Sequence, residues 1–384
     1  MRSSFKFKLA FLCSTHTLIH VYTNAPFALI PILMDEFNLS VFQAGLLVSI
    51  PRFIQLLMSL PSGLIADRFN ARKLISTSLF LEGLAGLLIY LYPSIWSLFV
   101  GFTLIALSST FYHPPALSAT TSVLPENYRG RGLGLHGACG TLGVSLGPIT
   151  LGLILHWLGW KFVFAFWLIP IFIVAISALL LKFNLKHSVE SEAVRSISTP
   201  LRSILSFTFI SLLIFISVRT AASSSISTFM TTYLSMGKGI DPGTASIIFG
   251  LSPLIGLVGS ILGGFLGDKL GWRRSFTIIF ISISLTLTMI FLSPAPFLIV
   301  IFYLAYGLFN AMTMPISSSL VAFIIPPEAR GTAYSAFFMP VSISGIVMPI
   351  IASLLVDLFG IWIIFPISIL LFILCLIIVQ IIKI

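Results

Sequence analysis

Arg52, Glu82 and Arg219 each stand near the middle of a stretch of about twenty residues that is otherwise uncharged. A charge facing lipid costs several kcal/mol or more, so such residues point to a function or to a buried partner. Arginine does not discharge by deprotonation, and two arginines against one carboxylate leave the apolar interior with excess positive charge. An anionic ligand would compensate it. Proton exchange needs a group that titrates near ambient pH, and His20 and His113 qualify by their ordinary chemistry, as does a carboxyl such as Glu82 when withdrawn from water. Blander roles stand beside these: Glu82 in a buried ion pair with Arg52 or His113, and each imidazole neutral and bonded to a backbone carbonyl. His16, Asn24 and His136 also fall in apolar segments. Cys13, Cys139 and Cys375 are odd in number and show no metal-ligand spacing, so neither a metal nor a cofactor is expected.

Helices that cross a bilayer must position these residues. The chain has 384 residues, 58% hydrophobic and 8% charged, with 35 Phe and a mean hydropathy of +1.11. Soluble proteins carry roughly a quarter charged residues, so a soluble fold is excluded. Hydropathy and loop punctuation predict an all-α integral membrane fold of twelve spans. These fall at 9–34, 41–66, 74–92, 95–124, 131–156 and 161–181, then 204–234, 243–267, 275–293, 295–325, 332–356 and 361–382. Two six-helix bundles, 1–181 and 204–384, flank a polar linker at 182–203. At about 20–25 residues each, twelve spans leave no room for an extramembrane catalytic domain, and no Gly-x-x-x-x-Gly-Lys-Ser/Thr loop is present for ATP. The first apolar run shows no small-residue cleavage site and is expected to be retained.

The net charge of +10 would suggest nucleic acid in a soluble protein, but its distribution argues otherwise. With the N-terminus inside, 17 of the 21 Lys and Arg fall on the cytoplasmic side or its linker, whereas the outer loops hold only Lys161 and Lys238. The positive-inside rule therefore places both termini in the cytoplasm, and the plasma membrane is the expected location. No nucleic-acid partner is expected.

An internal repeat with an offset of 201 residues joins the halves. Gly63-Leu-Ile-Ala-Asp67-Arg68-Phe-Asn-Ala-Arg72-Lys73 recurs as Gly264-Phe-Leu-Gly-Asp268-Lys269-Leu-Gly-Trp-Arg273-Arg274; 268 − 67 and 273 − 72 are both 201. Arg129-Gly130 pairs with Arg330-Gly331, Pro114 with Pro315 and Pro148 with Pro349. The loop resembles the signature loop of the major facilitator superfamily, with Asn70 where a second Gly is usual; Asn tolerates a left-handed turn nearly as well. The second copy keeps Gly271. The resemblance covers the whole chain and implies transport by alternating access. Asp67 and Asp268 would be acids of a conformational latch, with Arg68, Arg72, Arg129, Arg273 and Arg330 as partners, or some of these arginines would only obey the positive-inside bias.

Span 5 reads Gly134, Gly143, Gly147-Pro148, Leu151-Gly152, which resembles the antiporter motif of the superfamily's exporters. The alternative is a small-residue packing face. The stretch Ser108-Ser109-Thr110-Phe111-Tyr112-His113-Pro114-Pro115 is most like the fosmidomycin-resistance branch. In the facilitator fold spans 1, 4, 7 and 10 line the cavity, so the resemblance makes His20, Asn24, Tyr112, His113, Arg219, Tyr303, Tyr306 and Asn310 cavity candidates, with Arg52 within reach.

These residues lead to one expectation: a monomeric, proton-coupled exporter of a small anionic or amphiphilic compound, of drug-efflux type, and not an enzyme. An organic-anion symporter or exchanger is the alternative within transport. A non-transporting membrane receptor is the alternative outside it.

Overall fold

The computed structural model describes residues 5–180, 206–324 and 330–382, apart from the side chains of residues 67, 127, 322 and 330–338. The expected linker at 182–203 lies outside the described residues. Within them there is no strand, and twelve helical spans are long and apolar enough to cross a membrane. Span 1 is Phe5–Phe37, span 2 Val41–Ala66, span 3 Ala71–Leu91, span 4 Ile95–Val123, span 5 Arg129–Leu158 and span 6 Phe162–Leu180. Span 7 is Phe207–Gly237, span 8 Pro242–Leu270, span 9 Trp272–Leu292, span 10 Pro296–Val321, span 11 Met339–Phe359 and span 12 Ile361–Ile381. An apolar medium offers no partner to a free peptide N–H or C=O, so an uncharged run of this length satisfies its own backbone by coiling. Leu60, Trp157, Ile169, Ile261 and Leu370 stand exposed on the outer faces, as expected where lipid is the solvent.

Short polar turns start the helices. Ser94 caps span 4 in a reciprocal pair with Ser97. Asn70 departs from expectation: it sits at φ −63°, ψ 124°, in extended backbone, and its side chain accepts from the Arg72 N–H. It caps span 3 and does not substitute for a left-handed glycine. Gly271 is the member of the repeat that takes positive φ, at 75°, where an L side chain would be strained.

Span 1 is one helix by expectation and two in the structure, Phe5–His20 and Ala25–Phe37. Pro26 lacks an N–H, and its ring would clash with the carbonyl four residues earlier, so the helix stops and restarts. Across the break the chain tightens: Thr23 donates to the His20 carbonyl and Ala25 to the Tyr22 carbonyl, each at 3.1 Å. The Val21 carbonyl is thereby freed from the usual bond four residues on.

Two compact units emerge. The first takes the described residues up to Leu39, those from Leu46 through span 6, and Asp241–Gly250; the second takes Ser40–Gly45, span 7 to Ile240, and Leu251 onward. Tyr22, Tyr112 and Phe164 are fully enclosed in the first, with the Tyr22 hydroxyl donating to the Phe164 carbonyl. The second is packed with phenylalanine. Phe209, Phe215, Phe276, Phe280 and Phe372 are fully buried, and Phe276 stacks on Phe280 at 5.5 Å between centroids. The Phe-rich composition thus serves packing as well as the outer surface.

Candidate functional site

In the second unit, spans 7 and 10 gather Arg219, Tyr303, Tyr306, Asn310 and Thr313. Arg219 is 8% exposed. One guanidinium nitrogen donates to Thr313 Oγ1 at 3.1 Å, and Thr313 Oγ1 donates to the Asn310 carbonyl at 2.6 Å. Arg219 Nε, the Tyr306 hydroxyl and Asn310 Oδ1 are buried without a hydrogen-bond partner. Tyr303 and Tyr306 stack at 5.9 Å. A buried cation and three unsatisfied polar atoms are costly as they stand. Among the described residues of this unit the acids are Asp268 and Asp357, both at helix ends and exposed, so none of these is a buried counter-ion for Arg219.

The first unit holds the buried Glu82 and the half-buried Arg52, and they do not meet. The Arg52 guanidinium lies over the Phe27 ring, 4.4 Å from its centroid, in a cation–π contact. It lines a recess with Thr23, Gln55 and Ser109. Glu82 is fully buried and accepts from the Ser108 hydroxyl, and its other carboxyl oxygen has no partner. No ion pair joins Glu82 to Arg52 or His113 among the described residues. This corrects the expected buried pair: Ser108, on the facing span, reaches the carboxylate instead.

Four imidazoles come together between spans 1, 4 and 5. His16 stacks on His136 at 4.1 Å and meets His20 and His113 at 5.0 and 5.5 Å between centroids. His20 Nε2 is 3.3 Å from His113 Nε2. Tyr112 is fully enclosed, with its hydroxyl 2.8 Å from Thr15 Oγ1. It packs against the histidines and does not face a cavity as expected of a substrate contact; the rotation of span 4 that points His113 toward His20 turns Tyr112 inward. Asn24 sits at the break in span 1, half-buried, and makes no capping bond through its side chain.

The glycines of span 5 fall into two kinds. A Cβ at Gly143 would overlap the Thr17 carbonyl oxygen, one at Gly147 the Val21 carbonyl oxygen, and one at Gly152 the Gly243 carbonyl oxygen. Gly134 has nothing within 4 Å. The first three let backbones touch, and Gly134 does not.

A family model described as Major Facilitator Superfamily matches residues 12–305 and 208–382. The chain belongs to the Major Facilitator Superfamily. It is a multi-pass membrane transporter and not an enzyme. Similar curated proteins include a Na(+), Li(+), K(+)/H(+) antiporter of Planococcus maritimus, 27% identical over 39% of this chain and 35% of that protein. An MFS-type efflux pump of Mycolicibacterium smegmatis is 28% identical over 36% and 34%, and a probable sugar efflux transporter of Pasteurella multocida is 28% identical over 62% and 58%. The matches thus span about a third to somewhat over half of those relatives. Solved structures share the fold: a bacterial homolog of the human lysosomal transporter Spinster has a TM-score of 0.86 at 18% identity, covering 99% of this chain and 97% of that one. The nucleoside transporter NupG has 0.80 at 15%, covering 99% and 100%.

Within this facilitator-superfamily chain two of the expected latch arginines, Arg129 and Arg273, have other partners. Arg129 pairs with Glu126 at 3.6 Å, one helical turn away. Arg273 donates to the Ile382 carbonyl at 2.7 Å, satisfying the end of span 12, and stacks over Trp272. Neither reaches Asp268, which is exposed, as is Arg68. The side chains of Asp67 and Arg330 lie outside the described residues, and Arg72 engages Asn70 through its backbone N–H. Sequence reasoning named His16, His136 and Ser108 without assigning them a role, and did not single out Thr313. A signal existed for the first, since His16 and His20 are four apart and share one helix face. Ser108 and Thr313 are two hydroxyls among many in apolar spans.

Proposed function

We propose that this superfamily member exchanges protons for a small anionic or amphiphilic compound and works as an exporter in the plasma membrane, with both termini cytoplasmic and as a monomer. The observation that carries the anionic substrate is Arg219: a buried, permanently charged group with no buried acid among the described residues of its unit, flanked by unsatisfied Tyr306 and Asn310. A carboxylate, phosphonate or phosphate would supply the missing charge and acceptors. Arg52, over its recess, adds to the same sign. Export and exchange are supported by the antiporter and efflux functions of the partial relatives and by the close-packed glycines of span 5.

Reconstitution into proteoliposomes under an imposed pH gradient tests this directly. Anions should move protons against their own direction. Proton movement with cations alone would overturn the anionic reading, co-directional movement would favour a symporter, and no flux would favour a receptor.

The proton site is assigned to Glu82, with His20 and His113. Glu82→Gln keeps the Ser108 contact and removes titration, so it should abolish proton-driven accumulation while leaving substrate counterflow. Unimpaired accumulation would make Glu82 structural.

Asp67 is assigned to the latch from the repeat. Asp67→Asn should lower flux and shift distances between spin labels on the two bundles without loss of folded protein. Unchanged distances and flux would reduce the loop to a topological signal.

A further inference from the structure

Two imidazoles in the first unit each have a bond on one side that determines which nitrogen is free on the other. His16 Nδ1 lies 2.6 Å from the His136 carbonyl oxygen, and His113 Nδ1 lies 2.6 Å from that of Ser109. A carbonyl only accepts, so both Nδ1 atoms carry hydrogen and both Nε2 atoms present a lone pair. His20 Nδ1 is likewise engaged by Thr23 Oγ1 at 2.9 Å. This is how proteins orient metal-binding histidines: an oxygen acceptor holds the far nitrogen and aims the near one.

Ring nitrogens of the three histidines converge. His20 Nε2 and His113 Nε2 are 3.3 Å apart, and one ring nitrogen from each of His16, His20 and His113 lies within 4.8 Å of the others. With its Nδ1 protonated, His113 presents an Nε2 lone pair to His20 Nε2; Thr23 Oγ1 can donate to His20 Nδ1 or accept from it, and in the tautomer where it accepts, two lone pairs face each other and a cation between them joins the pair. A tetrahedral ion with metal–nitrogen bonds of about 2.0–2.1 Å separates its ligands by about 3.3–3.4 Å, close to this spacing. Glycine at 140 makes room, because a Cβ there would lie 2.7 Å from His16 Nε2.

We propose that His16, His20 and His113 form a three-imidazole site for a divalent first-row transition-metal ion of the Zn2+ type, open at a fourth coordination position. Neutral imidazoles favour Zn2+, Co2+, Ni2+ and Cu2+ over Mg2+, Ca2+ and alkali ions, which prefer oxygen. Thr23 and Ser109, which hold His20 and His113, also line the recess of Arg52. An anionic fourth ligand there would be paired by the guanidinium and would offset the metal charge in an apolar surround. The site requires no transport activity, so its existence does not depend on the proton-exchange reading.

Full-length protein in detergent, stripped with a chelator, should take up one equivalent of Co2+ with the intense visible bands of four-coordinate cobalt, and Zn2+ should displace it while excess Mg2+ does not. His20→Ala and His113→Ala should each weaken binding by more than about 100-fold, and Thr23→Val by about 10–100-fold through loss of orientation. His156→Ala, whose ring pairs with Asp241, should bind as wild type does. Absence of Co2+ binding in the wild type, or binding that survives His20→Ala and His113→Ala, would overturn the site. If the alanine variants do not fold, zinc-edge X-ray absorption on the wild type decides: three imidazole nitrogens support the site and fewer overturn it.

Discussion

Gly147→Val is expected to abolish exchange and to lower the unfolding temperature of the purified protein markedly. The glycine hydrogen at this position points at the Val21 carbonyl oxygen, and a Cβ would overlap it. Overpacking a core costs about 1–3 kcal/mol where side chains can yield. Here the obstacle is backbone, held by the tightened turn that Pro26 imposes on span 1, so the cost should reach or exceed the upper end of that range. Gly143→Val should behave similarly against the Thr17 carbonyl. Gly134→Val is the control: nothing lies within 4 Å, and a change within about 0.5 kcal/mol is expected. Thermal unfolding in detergent and exchange in liposomes, measured on all three, separate close packing from general sensitivity of the span. A Gly147→Val protein that melts and exchanges normally, or a Gly134→Val protein equally damaged, would remove the close-packing account. Pro148→Ala restores a backbone donor without adding bulk and should reduce exchange less than Gly147→Val does.

Arg219→Ala should nearly eliminate binding of anionic substrates while sparing the fold of the first unit. At an effective dielectric of about 20, unit charges about 4 Å apart interact by about 4 kcal/mol. That corresponds to about a thousandfold in affinity before desolvation is discounted. Arg219→Lys keeps the charge and loses the planar fork, whose one arm is already held by Thr313, so about a tenfold loss is expected. Affinities of both variants for matched anionic and cationic test compounds provide the measurement. Intact anion affinity in Arg219→Ala would refute the positive site, as would a wild-type preference for cations, and Glu82 would then be the charge to examine.

Composition and periodicity were enough for the number, type and approximate limits of the spans, because a lipid solvent leaves an uncharged run of about twenty residues only one way to satisfy its backbone. The repeat, visible as Asp67 and Asp268 at the same offset as Arg72 and Arg273, was likewise legible, since signature residues at loop positions need no knowledge of side-chain orientation. Charged residues that did not belong in such runs, Arg52, Glu82 and Arg219, could be named for the same reason. Their partners could not. Glu82 meets Ser108, Arg52 meets Phe27, and Arg273 meets the Ile382 carbonyl at the end of span 12. Those pairings depend on how each helix is rotated about its axis, which a span with apolar residues on every face does not encode. Tyr112 and His113 illustrate the point: neighbours in sequence, one closes against Thr15 and the other turns to His20. The break at Pro26, the carbonyls it aims at span 5 and the convergence of three imidazole nitrogens arise only when spans 1, 4 and 5 pack. Close backbone contact and lone-pair direction are set by tertiary geometry at the scale of a single bond length.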